Sequence, residues 1–163
     1  MNAQPQQEHH WLDRLVGEWT YEIECGMGSE SDRSQSKPKG IEIVRSLGGF
    51  WTVAETDGEM PECGTVKTIT TLGYDPKTDR YVGTFVGSMM AHLWVYSGSL
   101  DATGKVLTLE AEGPNFSDTA IVKYQDIHEF ISDDRRTLTS RILGEDGNWN
   151  QFMTSHYWRK NDK

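Results

Sequence analysis

Hydrophobic residues along this chain recur with two different periods. Near the start, Trp11, Leu12, Leu15 and Val16 fall at i, i+1, i+4 and i+5, the stripe of a short helix from Glu8 to Val16 with one buried face. Gly17 ends it, and a helix this short must dock on something to persist. From there the period is two. Trp19, Tyr21, Ile23 and Cys25 alternate with Thr20, Glu22 and Glu24, the pattern of a half-buried strand with an acidic outer face. Gly26 to Lys39 is polar and Ser-rich without periodicity and reads as a mobile loop. Its Gly26-x-Gly28 is no nucleotide fingerprint, since no helix follows. Ile41, Ile43, Arg45 and Leu47 share one face of a second strand, Gly48-Gly49 suits a two-residue hairpin, and Phe50 to Thr56 returns.

Asp57 to Gly64 reads as a loop, because Pro61 forbids continued pairing. Thr65 to Tyr74 is β-branched and extended, and Asp75 to Asp79 is a proline turn. Strands follow at Arg80 to Met89, Ala91 to Leu100, Lys105 to Glu112, Asp118 to Ile131, Arg136 to Leu143 and Asn148 to Lys160. Turn residues separate them at Asp101 to Gly104, Gly113-Pro114, Asp133-Asp134 and Asp146-Gly147. The expectation is an all-β fold: a single antiparallel up-and-down β-barrel of about ten strands, with the N-terminal helix closing one end. Closure removes the exposed strand edges that an open sheet would present. Residues 1–7 read as a disordered tail and 8–163 as one barrel domain.

Composition narrows the partners. A chain of 163 residues buries about two-thirds of its unfolded surface in one core. Its net charge of -9 repels phosphate backbones, which argues against nucleic acid and anionic membrane faces. No basic region followed by an apolar run opens the sequence, and no apolar run approaches the roughly 18 residues of a membrane span. Cys25 and Cys63 sit in no CxxC spacing, so a reduced, cytoplasmic protein is expected. The Asn115-Phe116-Ser117 sequon is then chance.

The chemistry lies on two strand faces. His92, Trp94 and Tyr96 alternate on one, and Tyr124, Asp126, His128 and Phe130 on another. Aromatics with polar tips need partners when they point into a barrel. Three readings follow: a ligand-lined cavity, a self-satisfied polar core, or a parity reversed by a bulge. Ten strands enclose more than the roughly eight whose interior side chains just fill the space, which favours a hollow. The ligand-binding set is then His92, Trp94, Tyr96, Tyr124, His128 and Phe152, and the guest a small hydrophobic or aromatic molecule. Facing outward, the same aromatics would instead make a homodimer interface.

Catalytic signatures are missing: there is no Gly-x-Ser-x-Gly, no HExxH and no P-loop, and Glu22, Glu24, Glu110 and Glu112 sit on solvated faces. Asp126 and His128, two apart on one face, suit a base and its orienter, though a pair of surface polars near a strand end is the plainer reading. His9-His10 reads as exposed. No metal is expected, even though His92, His128 and His156 on three strands would allow a three-histidine site inside a barrel.

A Gly-x-Trp at Gly17-Glu18-Trp19 with Tyr157-Trp158-Arg159-Lys160 closing the last strand resembles the signature shared by lipocalins, fatty-acid-binding proteins and nitrobindins, together called calycins. The resemblance implies that Trp19 plugs one end of the barrel and Arg159 lies across its ring. Leu72-Gly73-Tyr74-Asp75, the run from Trp94 to Asp101, Leu107-Thr108-Leu109 and Asp146-Gly147-Asn148-Trp149 are more specific. They resemble the bacterial family catalogued as domain of unknown function 1579, over about Glu8 to Lys160. That resemblance implies a calycin-like barrel and no particular activity. Some calycin-like barrels are enzymes, which keeps open a catalyst with His92 or His128 as proton shuttle. The nitrobindin likeness raises haem as a cofactor bound through His156, whose face also carries Phe152, Thr154 and Trp158; no other cofactor is implied.

Overall fold

The structure, a computed structural model, describes residues 3–25, 37–61 and 64–161. The expected loop after Cys25 and the residue Cys63 lie largely or wholly outside the described residues. Helix α1 (Gln7–Leu12) passes into a 3-10 turn, Asp13–Leu15. Ten strands follow: β1 (Gly17–Cys25), β2 (Lys39–Leu47), β3 (Trp51–Met60), β4 (Gly64–Asp75), β5 (Arg80–Gly87), β6 (Trp94–Leu100), β7 (Val106–Pro114), β8 (Ile121–Ser132), β9 (Arg135–Leu143) and β10 (Trp149–Arg159). Each pairs antiparallel with its sequence neighbour, and β10 returns to pair with β1, so the sheet is a closed up-and-down barrel. No helix among the described residues is long and apolar enough to cross a membrane.

One end of the barrel is closed by α1 and its turn. Helix burial rests on hydrogen bonds with the barrel in both directions: Trp11 Nε1 donates to the Gly104 carbonyl at 2.7 Å, and the Tyr81 hydroxyl donates to the Glu8 carbonyl at 3.2 Å. His9, expected to be exposed, is buried. Its Nδ1 accepts from the Gln6 amide at 2.9 Å, which leaves Nε2–H to donate to the Tyr74 carbonyl at 3.1 Å. His10 stays exposed.

Trp19 is fully buried beside this helix, its indole N–H donating to the Leu15 carbonyl at 2.9 Å. It is paired across the β1–β10 seam with Arg159, whose guanidinium carbon lies 4.2 Å from the Trp19 ring centroid. The same guanidinium donates to the carbonyls of Val16 and Arg14 at 2.7 and 2.8 Å, capping the 3-10 turn. Gly17 makes this possible. Its φ of +134° disfavours an L side chain, and a Cβ there would stand 2.5 Å from Arg159 Nη1. The Gly-x-Trp signature is thus the footprint of a guanidinium passing over a backbone.

Several boundaries and faces differ from the sequence expectation. Leu47 pairs with Trp51, so the β2–β3 loop has three residues, Gly48-Gly49-Phe50, and not two. Strand β3 continues to Met60 where a loop from Asp57 was expected, because Pro61 falls just after the last rung, Met60 with Gly64, and removes no ladder donor. On β2 the apolar set faces out: Ile41, Ile43 and Leu47 are exposed while Glu42 and Val44 are buried. Strand β8 starts at Ile121 and not at Asp118, since the Asn115 side chain accepts from the Thr119 amide at 2.8 Å and holds the preceding residues in a turn.

Candidate functional site

Inside the barrel is a cavity of about 800 Å³, floored by Leu15, Val44, Glu42 and Arg136 and rimmed by Met89, Met90, Phe116 and Phe152. The alternation of the strands stacks its lining in layers. Along β8, His128, Asp126 and Tyr124 climb from the closed end to the mouth; along β9, Arg136, Leu138 and Ser140 do the same.

The lowest layer is charged. Arg136 Nη2 donates to Glu42 Oε2, with side chains only 2% and 8% exposed. The guanidinium also lies 4.5 Å from the Trp19 ring centroid and 3.9 Å from that of Tyr157. Trp19 therefore serves two cations, Arg159 and Arg136. Arg136 Nε is itself buried without a hydrogen-bond partner.

Above it stands His128, buried, with Nδ1 lacking a partner. Burial first, and then the Arg136 guanidinium, holds its imidazole down to about 3, so the ring is neutral.

The middle layer is a carboxylate with two hydroxyls. The Tyr96 hydroxyl donates to Asp126 Oδ2, and the Ser140 hydroxyl donates to Oδ1 at 2.6 Å. Burial pushes the Asp126 carboxyl up, while the Ser140 and Tyr96 hydroxyls pull it back. Burial, followed by the charge of Asp126, raises the Tyr96 phenol well above its ordinary value. No hydrogen bond among the described residues joins Asp126 to His128, so the expected base and orienter are not coupled. Nor are they surface polars, as both line the cavity.

The mouth is aromatic. Trp94 packs edge-to-face on Tyr124 with centroids 4.8 Å apart and on His92 at 4.7 Å, and Phe152 stands 5.1 Å from Phe116. Trp94 fills the space over Gly113, where a Cβ would meet its ring at 2.3 Å. The Tyr124 hydroxyl donates to the Pro114 carbonyl at 2.5 Å. His92 was expected on a strand. It lies instead in the β5–β6 connection, its Nε2 3.0 Å from the Glu112 carbonyl, still at the cavity rim.

All six expected ligand-binding residues, His92, Trp94, Tyr96, Tyr124, His128 and Phe152, line this one cavity. His156 does not. A bulge in β10 between Gln151 and Met153 turns both Phe152 and Met153 toward the cavity and shifts the parity below them, so Ser155 and Tyr157 point inward. His156 is left on the outer face, its ring stacked near Trp158, Nδ1 2.8 Å from Arg135 and Nε2 3.3 Å from Glu24. The expected sharing of a cavity face by Phe152 and His156 is corrected accordingly, and with it any convergence of His92, His128 and His156 on one metal. Among the described residues no three potential ligands gather as a metal site requires.

Glu42, Arg136 and Ser140 escaped the sequence reading. Glu42 was hidden between Ile41 and Ile43, whose hydrophobicity suggested the opposite face, and Arg136 was read only as the first residue of its strand, with no face assigned. The signal that would have found Arg136 is its even spacing with Leu138 and Ser140 on one strand face.

A closed ten-stranded antiparallel barrel with one plugged end and one aromatic mouth places the protein in the class of up-and-down β-barrels. By sequence the chain belongs to the family described as protein of unknown function (DUF1579), whose model matches residues 4–159. No curated protein matches it. Among solved structures it is similar to the crystal structure of Rv2717c from M. tuberculosis, with 10% identity, 97% of this chain and 100% of that one covered, and a TM-score of 0.64. It is also similar to a redesigned β-barrel, at 9% identity, 97% and 100% coverage and a TM-score of 0.51. A third is EF1p2_mFAP2b bound to DFHBI, at 12% identity, 94% and 100% coverage and a TM-score of 0.50. At these identities the likeness is one of fold.

Proposed function

We propose that this protein binds a small, largely apolar molecule inside the barrel. The observation that carries the reading is the cavity: about 800 Å³, within the range of roughly 300 to 1,000 Å³ typical of ligand pockets, with aromatic walls at its mouth and a few fixed polar groups at depth. A core meant only to be filled would not leave such a hollow, since protein interiors pack as densely as organic crystals. The structural neighbour that holds DFHBI supports the reading, as a barrel of this architecture accommodating a small molecule.

Binding is favoured over catalysis by the state of the histidines. A proton shuttle works best with a pKa near the operating pH, whereas His128 is held neutral far below it and His92 Nε2 is tied to a backbone carbonyl.

The test is an environment-sensitive hydrophobic dye titrated into the native protein and into Ala54→Trp, which places an indole in the cavity from β3. Saturable binding to the native chain with one site per protomer is expected, weakened at least tenfold, or about 1.4 kcal/mol, in the folded variant. Equal affinity for both would remove the support for an interior site.

A further inference from the structure

Charge and donor accounting inside the cavity say what kind of guest fits. Among the described residues lining it, Arg136 is the only permanent cation, and it is committed to Glu42 and to the rings of Trp19 and Tyr157. Its free Nε is buried and out of a guest's reach. A carboxylate guest would thus find no cation to clasp.

Asp126 is left over. Its carboxylate is compensated by two neutral hydroxyls and, among the described residues, by no cation, and a buried charge in that condition is costly. The upward push on its carboxyl reports the same tension. An ionised carboxylate offers acceptors only, with lone pairs to spare beyond the two bonds it takes. The phenol proton of Tyr96 and the hydroxyl proton of Ser140 are both spent on Asp126, so toward the cavity these oxygens too present lone pairs. Three neighbouring groups therefore form an acceptor-only cluster of net negative charge. Asp118, at the mouth, adds a second carboxylate along the way in.

Resting on the cavity-binding reading above, we infer that the guest is an organic monocation: a protonated amine whose N–H groups meet Asp126, Tyr96 and Ser140, and whose apolar or aromatic body lies among Trp94, Tyr124 and Phe152. The ammonium completes the charge balance that Arg136 leaves open. The rings above it favour a cation over an anion at the entrance, because their faces carry negative potential. The net charge of the whole chain, -9, biases encounter in the same direction.

Three probes that share one carbon skeleton decide the matter: 4-phenylbutylamine, 4-phenylbutanol and 4-phenylbutanoate, titrated calorimetrically into the full chain at pH 7. The amine should bind at least tenfold more tightly than the alcohol, a difference of about 1.4 kcal/mol, and the carboxylate more weakly than either. In Asp126→Asn the ratio of amine to alcohol affinity should fall toward one. The native-protein comparison needs no variant, so it stands even if Asp126→Asn does not fold. If the alcohol binds and the amine has no advantage, or the carboxylate binds best, the monocation assignment is overturned while the cavity reading survives. If none of the three binds and the hydrophobic dye does not bind either, both are overturned.

Discussion

Arg136 and Glu42 meet in an ion pair inside the barrel, with side chains 2% and 8% exposed, on strands that share no edge. Breaking such a pair from one side strands the other charge. Glu42→Gln should therefore cost about 3 to 5 kcal/mol in urea denaturation, as removal of one buried partner does. The double change Glu42→Leu with Arg136→Met should recover most of that loss. A single variant as stable as the parent would show that the pair contributes nothing.

Arg159 holds the seam through its fork as much as its charge, since it spans two carbonyls while lying over Trp19. Lysine keeps the charge but cannot make that bidentate reach. Arg159→Lys should lose about 1 to 3 kcal/mol, close to the loss in Arg159→Ala. A lysine variant with the parent's melting temperature would reduce the contact to simple cation–ring attraction.

Gly17→Ala should be damaging for a related reason: strained backbone and a methyl where the guanidinium passes. An effect on the order of 1 to 3 kcal/mol is expected, read as a fall in melting temperature of about 2 to 4 °C for each kcal/mol. Trp19→Ala sets the upper reference at about 3 to 5 kcal/mol.

His128 links stability to acid. Its folded value, about 3, lies below the usual 6.5. The unfolded chain therefore takes up a proton that the folded one refuses, and the stability present above pH 6.5 is lost as pH falls toward 3. Asp126, raised in the folded state, acts in the opposite sense near its own titration, so the two partly offset at the acid end. In His128→Leu the decline in urea midpoint between pH 6.5 and 4.5 should flatten. An unchanged slope would move the acid sensitivity to other groups.

His156 offers a control. On the outer face beside Glu24 and Arg135, it should be replaceable by alanine with dye affinity within about twofold of the parent, less than 0.5 kcal/mol. A larger loss would bring the β10 face assignment into question.

The ten strands and the closing helix were legible because period-two alternation and turn residues are local signals, whereas the Trp19–Arg159 stack was implied only by the resemblance to the calycin signature. The inward face of β6 was legible too, where Trp94 and Tyr96 outweigh Val95 and Ser97. Face assignment failed where a local signal was misleading or absent. On β2, Ile41 and Ile43 are exposed because the buried positions are taken by Val44 and by Glu42, whose partner lies 94 residues away. On β10 one inserted residue reverses parity, and nothing in Gln151-Phe152-Met153 announces it. The Tyr96–Asp126–Ser140 cluster joins three strands, and a pairing of that range is invisible until register is known.

The β1–β10 seam also has a consequence for how the chain comes into being. Trp19 and its cross-strand partner Arg159 are 140 positions apart, and every other pair of adjacent strands in the barrel joins sequence neighbours. A ribosome must therefore deliver every strand through β10 before β1, already paired with β2, can pair along its second edge. Until then the nascent sheet grows as a curled ribbon with two bare edges, each a template for pairing with another chain. Termination anywhere before β10 would yield a sticky fragment and no smaller barrel, so that one strand decides between a closed vessel and an aggregate.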